Sequence, residues 1–521
     1  MTQSISPDLL RRTGPAEATP APPAEPGPRT LLVGTALAVE QLGHALQATV
    51  PPPRCVGCLL PAAAVEAAQP AVPVLGAFDE LEATLKQTAV DQVLLSLPLA
   101  MSGPIRELAS VLDRLGVAWR FMPTLGDQLA GRTSSRLTGG LPVSGQGGAT
   151  DPAASPIDPR QLIHRPARRL DAEAIGGCLA GRTVLVTGAG GSIGSELART
   201  IARFNPERLV LVERGENALF EIDRELARTF PDLPREAVLH DVTDSGRTEA
   251  LIQRQRPGVI FHAAAHKHVP MMEDHPAEAV ENNFYGTRAI ADAAERAGVE
   301  RFVMISTDKA VNPSSVMGAS KRLAELYVQH RATQSETVFS MVRFGNVLGS
   351  ACSVLPIWSR QLAQGGPITV THPDMYRYFM TIPEAAGLVL QAGALSRGGE
   401  VFLLDMDEPI RVLDLAERFV RQQGFEPGVD VSIEFTGPRP GEKLIERLAY
   451  DSEDMAATDH EAIHVWRTSA PDRAHMQQII DTFDRLRQPA ATGSPWHNAG
   501  RDAIVNVLRR AIPEMTTAAA G

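Results

Sequence analysis

Two successive doubly wound α/β domains with parallel sheets are predicted for this chain on three observations. Apolar runs of strand length alternate with helical patterns from Thr30 to about residue 125, and a second such alternation starts at Arg182. Each alternation opens on a short apolar strand, Thr30-Leu31-Leu32-Val33-Gly34 in the first and Thr183-Val184-Leu185-Val186 in the second. The chain has 521 residues, more than a single core supports.

Residues 1–28 hold seven prolines among many alanines and are expected to be a disordered tail. The first domain, 29–125, takes the strand at Thr30, a helical pattern through Leu46, a strand at Val90–Leu97, a helix from about Pro104 to Leu115 and a strand at Val117–Met122. Its first loop, Gly34-Thr35-Ala36-Leu37-Ala38-Val39, lacks the second and third glycines of a dinucleotide fingerprint, so side chains would stand where a pyrophosphate needs bare backbone. A structural or regulatory role is expected for it. Cys55-Val56-Gly57-Cys58 reads as a short strand, and no second Cys or His pair follows at zinc spacing, so no metal is expected. Residues 126–180 read as a linker whose middle, 139–159, is rich in Gly, Ser, Pro and Ala. The second α/β domain spans 181–455, and 456–521 is expected to be a helical segment with amphipathic spacing at 474–487 and 499–511.

Composition narrows the function. Hydrophobic residues make up 44% and charged residues 21%, with a net charge of −11. No Lys/Arg-rich run stands out, which argues against a nucleic-acid partner. No run of about 18 apolar residues occurs and no signal peptide is legible. Four cysteines, Cys55, Cys58, Cys178 and Cys352, suggest no disulfide framework and fit a reducing cytoplasm.

The chemistry lies in the second domain. Its opening strand runs into Thr187-Gly188-Ala189-Gly190-Gly191-Ser192-Ile193-Gly194, followed by a helix. Gly188 permits the tight turn, Gly191 lets backbone approach a pyrophosphate, and Gly194 lets the helix pack against the strand, whose partner helix offers free N–H groups to the anion. This marks a Rossmann-like dinucleotide site. The next strand, Leu209–Val212, ends at Glu213, 25 positions after Gly188, where an acid suits the adenosine ribose hydroxyls and disfavours a 2′-phosphate. NAD is therefore expected, although Arg214 stands beside it. Asp241 and Val242 follow the strand Ala237–His240, and Asp241 either contacts the adenine amine or caps the next helix. Ala263-Ala264-Ala265 closes the strand Val259–His262 with small side chains that admit the cofactor, and His266, Lys267 and His268 follow. The core strand Phe302–Ser306 delivers Thr307, Asp308 and Lys309 to the cleft, because ligands sit outside the carboxyl ends of parallel strands. Met317 and Lys321 lie four apart on one face of the following helix.

In order, T-G-A-G-G-S-I-G, F-H-A-A-A-H-K-H-V-P-M-M-E, S-T-D-K-A-V-N-P, R-F-G-N-V-L-G-S and T-H-P-D-M-Y-R-Y-F-M-T-I-P-E-A resemble the polysaccharide-biosynthesis family of nucleoside-diphosphate-sugar dehydratases and epimerases, extended short-chain dehydrogenases, and within it the large UDP-N-acetylglucosamine 4,6-dehydratases. The resemblance covers roughly 30–515 and is densest in 181–445. It implies an NAD enzyme in which Lys309 is the C5 base, Asp308 the acid at C6, Thr307 a partner of the C4 oxygen region, and Lys321 a partner of the nicotinamide ribose. Met317 stands where most short-chain dehydrogenases carry a proton-exchanging Tyr, a replacement the large dehydratases share. For the substrate the resemblance implies Lys267, with His268 and His266 as further candidates, then Arg343, Asn346 and Ser353, and from the C-terminal part Arg377, Arg439, Glu442 and Lys443. Two departures stand out. Cys352 replaces a usual Gly and is expected to crowd the nucleotide loop. The Pro/Ala-rich tail stands where most large members carry spanning helices, so a soluble, cytoplasmic protein is expected. The expected partners are a UDP-sugar and further copies of the chain. C4 epimerisation and a non-catalytic NAD-binding scaffold are the competing readings.

Overall fold

The computed structural model describes residues 27–47, 53–99, 101–122, 124–126, 159–163, 165, 168–449, 455–466, 470–487, 496 and 499–516. Residues 1–26 of the tail expected at 1–28 and most of the linker, including all but the last residue of 139–159, lie outside the described residues. The chain divides into two compact units, one reaching to residue 153 and including Gly424–Val431, the other taking Ala154–Gln423 and Ser432–Gly521.

The first unit is a five-stranded sheet in the order Val74–Ala77, Arg54–Leu60, Arg29–Gly34, Gln92–Ser96, Ala118–Phe121, with all neighbours parallel. Leu31, Leu32, Val33, Leu59 and Leu95 are wholly buried, as strands covered on both faces require. The strand expected at 90–97 is two residues shorter at the start and one at the end. The CxxC pair lies on the second strand, Cys58 buried and Cys55 half-buried. A Cβ on Gly34 would sit 2.2 Å from Ser96 O, so this glycine serves strand packing. At the amino end of the helix Ala36–Gln47, the Ala36 N–H donates to Asp430 Oδ1 at 3.0 Å, and Glu426 N–H donates to Asp430 Oδ2 at 2.8 Å.

The second unit is built on a nine-stranded sheet. Seven parallel strands run in the order Val401–Leu404, Val338–Arg343, Arg301–Ile305, Val259–His262, Thr183–Thr187, Arg208–Glu213, Arg235–Leu239. Successive strand residues face opposite layers. Leu185, Ile260, Phe302 and Met304 pack into one apolar cluster; Val184, Val186, Phe261 and Val303 pack into the other. Strand order reverses between Thr183–Thr187 and Val259–His262, which opens a crevice at their carboxyl ends.

The region from 456 is not purely helical, as expected from its sequence. Met455–Ala457 and Ile463–Trp466 extend the main sheet antiparallel beyond Val401–Leu404, so the boundary set at 455 cuts through a sheet element. The helices Arg473–Leu486 and Arg501–Ala511 then follow, close to the expected spans, and bury Ile479, Phe483, Ile504 and Leu508 in the same core as the helix Val316–Ala332. Among the described residues, no helix is long and apolar enough to cross a membrane.

Candidate active site

The crevice is lined by Gly188, Gly191, Glu213, Arg214, Asp241, Val242, Ala263, Ala264, Ala265 and His266, and encloses about 210 Å³. Gly188 takes φ +63°, and a Cβ there would lie 2.8 Å from Ala263 O. A Cβ on Gly194 would lie 2.0 Å from Gly188 O, so only glycine lets the helix Ser192–Ala202 begin so close under the turn. A Gly190 Cβ would press on Ala218, 2.5 Å from its Cβ. Ile193 packs against the core, and Ser192 Oγ accepts from Ala351 N–H at 2.9 Å, tying the glycine turn to the 349–353 loop.

The turn is held from beneath by a buried chain of hydroxyls. Thr287 Oγ1 donates to Asn283 O (2.7 Å), so it accepts from His262 Nε2 (3.0 Å), and His262 Nδ1 accepts from Thr187 Oγ1 (2.7 Å). This sequence of donors fixes the Nε2–H tautomer. Burial, and after it the Lys321 charge, pushes His262 down to about 3, so the ring is neutral at neutral pH.

Glu213 sits at the expected strand end. Its carboxylate accepts from Gly190, Arg214 and Gly215 N–H. Arg214 reaches His266 Nε2 at 3.3 Å and lies 3.9 Å from Asp241 Oδ2. Of the two readings for Asp241, helix capping fails: Asp244 caps the helix Ser245–Gln255, while Asp241 accepts from Thr243 N–H and Oγ1 and lines the crevice.

At the carboxyl end of Arg301–Ile305 the chain places Thr307, Asp308 and Lys309 together. Asp308 is wholly buried; its Oδ1 accepts from Thr307 Oγ1 (2.9 Å) and Lys309 Nζ (3.0 Å), and its Oδ2 has no partner among the described residues. Lys309 Nζ also donates to Asn346 Oδ1 at 3.1 Å, which brings Asn346 to the same point. Gly318 makes room for this turn, because a Cβ there would lie 2.2 Å from Lys309 O. Met317 and Lys321 are buried on the helix Val316–Ala332, and Lys321 Nζ donates to Ile305 O at 2.7 Å. Burial lowers Lys321 to about 8 against the raising charge of Glu325.

Three residues with roles here escaped the sequence reading. Glu446, 4% exposed, stands 3.9 Å from Lys309 Nζ and 3.6 Å from Lys443 Nζ. Asn283, within a π-helical turn Glu281–Tyr285, accepts from His266 N–H and donates to His266 O and Ser320 Oγ, fixing the backbone before Lys267; such turns recur at functional sites. Glu325 carries the ion pair described next.

Arg343 is corrected as a substrate contact. It is 1% exposed, forks Glu325 through Nε (2.8 Å) and Nη2 (2.7 Å), and lies 4.5 Å from the Trp466 ring centre, so its guanidinium is spent inside the protein. Arg377, also buried, donates to Tyr376 O and Leu444 O and braces backbone. Lys267 Nζ donates to Ala351 O at 2.8 Å, and Ser353 Oγ, at the amino end of the helix Val354–Ala363, is buried without a hydrogen-bond partner among the described residues. Burial and the neighbouring Lys267 and Arg439 charges lower His268. Arg439 and Glu442 pair with each other, while Lys443 Nζ donates to Val311 O. Cys352 is exposed, and takes φ +57°. The crowding expected of it is therefore backbone strain, since glycine alone adopts that conformation freely.

Known proteins match this arrangement. A family model described as polysaccharide biosynthesis protein matches residues 184–468. The probable polysaccharide biosynthesis protein EpsC of Bacillus subtilis (strain 168) is 40% identical over 420 residues, 80% of this chain and 67% of that protein. The capsular polysaccharide biosynthesis protein CapD of Staphylococcus aureus is 42% identical over 412 residues, 79% of this chain and 66% of that protein. The chain thus spans about two thirds of the length of both relatives. A UDP-N-acetylglucosamine 4,6-dehydratase (inverting) of Campylobacter jejuni subsp. jejuni serotype O:23/36 (strain 81-176) is 30% identical over 283 residues, 53% of this chain and 80% of that protein. The X-ray structure of Pen from Bacillus thuringiensis superposes with a TM-score of 0.52 at 30% identity, covering 57% of this chain and 92% of that one. With the family model spanning more than half of its length, the chain belongs to the polysaccharide biosynthesis protein family, on a Rossmann-like α/β fold.

Proposed function

We propose that the chain is an NAD-dependent nucleotide-sugar 4,6-dehydratase that converts UDP-N-acetylglucosamine to a 4-keto-6-deoxy sugar for polysaccharide or glycan synthesis. The observation that carries this reading is the wholly buried Asp308 carboxyl, one oxygen held by Thr307 and Lys309 and the other without a partner among the described residues. A buried polar atom left over in this way suits a ligand hydroxyl.

The glycine turn fits a dinucleotide: Gly188, Gly190 and Gly194 stand where any Cβ would collide, Gly188 and Gly191 line the crevice just before the helix Ser192–Ala202 begins, and Glu213 suits ribose hydroxyls. When bound, NAD would supply a hydride acceptor for sugar C4 and a hydride donor for C6. With Met317 unable to exchange a proton, Asp308 takes the C4 hydroxyl proton, steered by Thr307. Lys309 Nζ removes the C5 proton, made acidic by the C4 ketone. Asp308 then hands its proton to the C6 oxygen, which leaves as water, and Lys309 returns its proton to C5, so both side chains end as they began. Asn346 orients Lys309 throughout. Lys267, Ser353 Oγ and the amino end of Val354–Ala363 are the groups we assign to the diphosphate. The setting we propose is the cytoplasm, with the chain as a homo-oligomer.

Incubating the purified protein with UDP-N-acetylglucosamine and other nucleotide sugars tests the reading by mass spectrometry. Loss of one water and a new 4-keto group is the expected result. A product of unchanged mass with inverted C4 would make the chain an epimerase, and no conversion of any nucleotide sugar would overturn the assignment.

A further inference from the structure

A second recess lies at the amino ends of the parallel strands, the opposite end of the sheet from the crevice. It is formed where the helix Val316–Ala332 ends, the helix Ile382–Leu395 ends and the strand Val401–Leu404 begins, and has a volume of about 690 Å³. That size falls within the range of small-molecule sites. Gln329 lines it. This residue is 2% exposed, and neither its Oε1 nor its Nε2 has a hydrogen-bond partner among the described residues. A buried carboxamide with both functions unmet is rare in a native fold and asks for a matching partner.

The surroundings narrow that partner. Trp466, nearly buried, supplies apolar wall in the same layer as the helix that carries Gln329, while Phe402 lines the recess from the opposite face of the sheet. Trp466 is backed by the guanidinium groups of Arg343 at 4.5 Å and Arg322 at 5.2 Å from its ring centre, so the wall is stiff before anything binds. The rim carries Arg397 against Glu400 and Asp459, one cation to two carboxylates. Such a rim repels phosphates. A carboxamide presents a donor and an acceptor side by side, which matches a neighbouring C=O and N–H in one flat ring.

We propose that this recess is a second ligand site, separate from the crevice, that takes an uncharged planar molecule with a lactam edge, of the kind a free nucleobase or nucleoside presents. Gln329 reads that edge in a two-bond pairing and Trp466 holds the ring.

Saturation-transfer NMR on the full chain with saturating NAD⁺ tests this with uridine and hypoxanthine as probes and uridine monophosphate as the charged control. Both neutral probes are expected to bind saturably, with Kd between about 10 μM and about 10 mM. Gln329→Leu, which keeps the volume and removes the pairing, should weaken both by at least about tenfold. Ala332→Phe, which fills the recess from its rim, should do the same, and stands in if Gln329→Leu melts at a lower temperature than the wild type. Uridine monophosphate should bind the recess more weakly than uridine. Absence of saturable binding by both neutral probes at about 10 mM, or equal affinity in the wild type and a folded recess variant, would overturn the assignment.

Discussion

Replacing Glu325 by Gln isolates one charge at the centre of the second unit. Glu325 is wholly buried and accepts from Arg343 twice (2.8 and 2.7 Å), from Arg322 at 3.1 Å and from Ser306 Oγ at 2.6 Å, the residue just before Thr307. Burial alone would raise its carboxyl, but the Arg343 and Arg322 charges and the hydrogen bonds win and hold it down at about 2, from an ordinary 4.5. The drop of about 2.5 pH units corresponds to about 3 kcal/mol of folding stability. A direct estimate agrees: removing one partner of a buried ion pair costs about 3–5 kcal/mol. Because the folded carboxyl is the stronger acid, the contribution is complete above about pH 4.5 and fades as pH falls toward 2. Urea unfolding followed by tryptophan fluorescence checks this at several pH values. Glu325→Gln should lower stability by about 3 kcal/mol at pH 7, and the gap to the wild type should shrink to about 1 kcal/mol near pH 2.5 and close only below about pH 2. A gap below about 1 kcal/mol at pH 7, or one that does not change with pH, would refute the reasoning.

Other perturbations probe the site directly. Lys309→Ala should leave NAD⁺ binding intact, measured by calorimetry, while turnover falls by about 10³-fold or more. His262→Leu leaves the wholly buried Thr187 hydroxyl without its acceptor, while Thr287 keeps its bond to Asn283 O. It should cost roughly 1–3 kcal/mol and weaken NAD⁺ binding through the displaced glycine turn, read by chemical denaturation and by titration. Cys352→Gly relieves a left-handed backbone and should raise stability by up to about 1 kcal/mol, seen as a small rise in Tm with unchanged NAD⁺ affinity.

The central parallel strands around Leu31–Val33, Val184–Val186 and Leu209–Val212 were legible because these residues are apolar without a break, as a strand buried on both faces requires. The glycine turn was legible because each glycine answers a local backbone demand. Ile463–Trp466 was not: four residues containing His464 carry too little pattern to separate strand from helix, and their pairing partner lies at Val401–Leu404. Arg343 was misjudged for a similar reason. Its residue type suits phosphate, but the groups that claim it, Glu325 and Trp466, are 18 and 123 positions away in sequence. Glu446 and Asn283 were missed because their significance comes from Lys309 and His266, which only folding brings close.

In the first unit, Asp430 occupies the amino end of a helix in the position that an incoming phosphate takes in domains of this shape. Its two oxygens are spoken for by backbone amides, and the residue is 2% exposed. The chain therefore carries a built-in stopper, an internal anion that satisfies the helix dipole from within. This sheet can reach its final form with nothing bound, and a nucleotide seeking that seat would first have to evict a side chain already at home there.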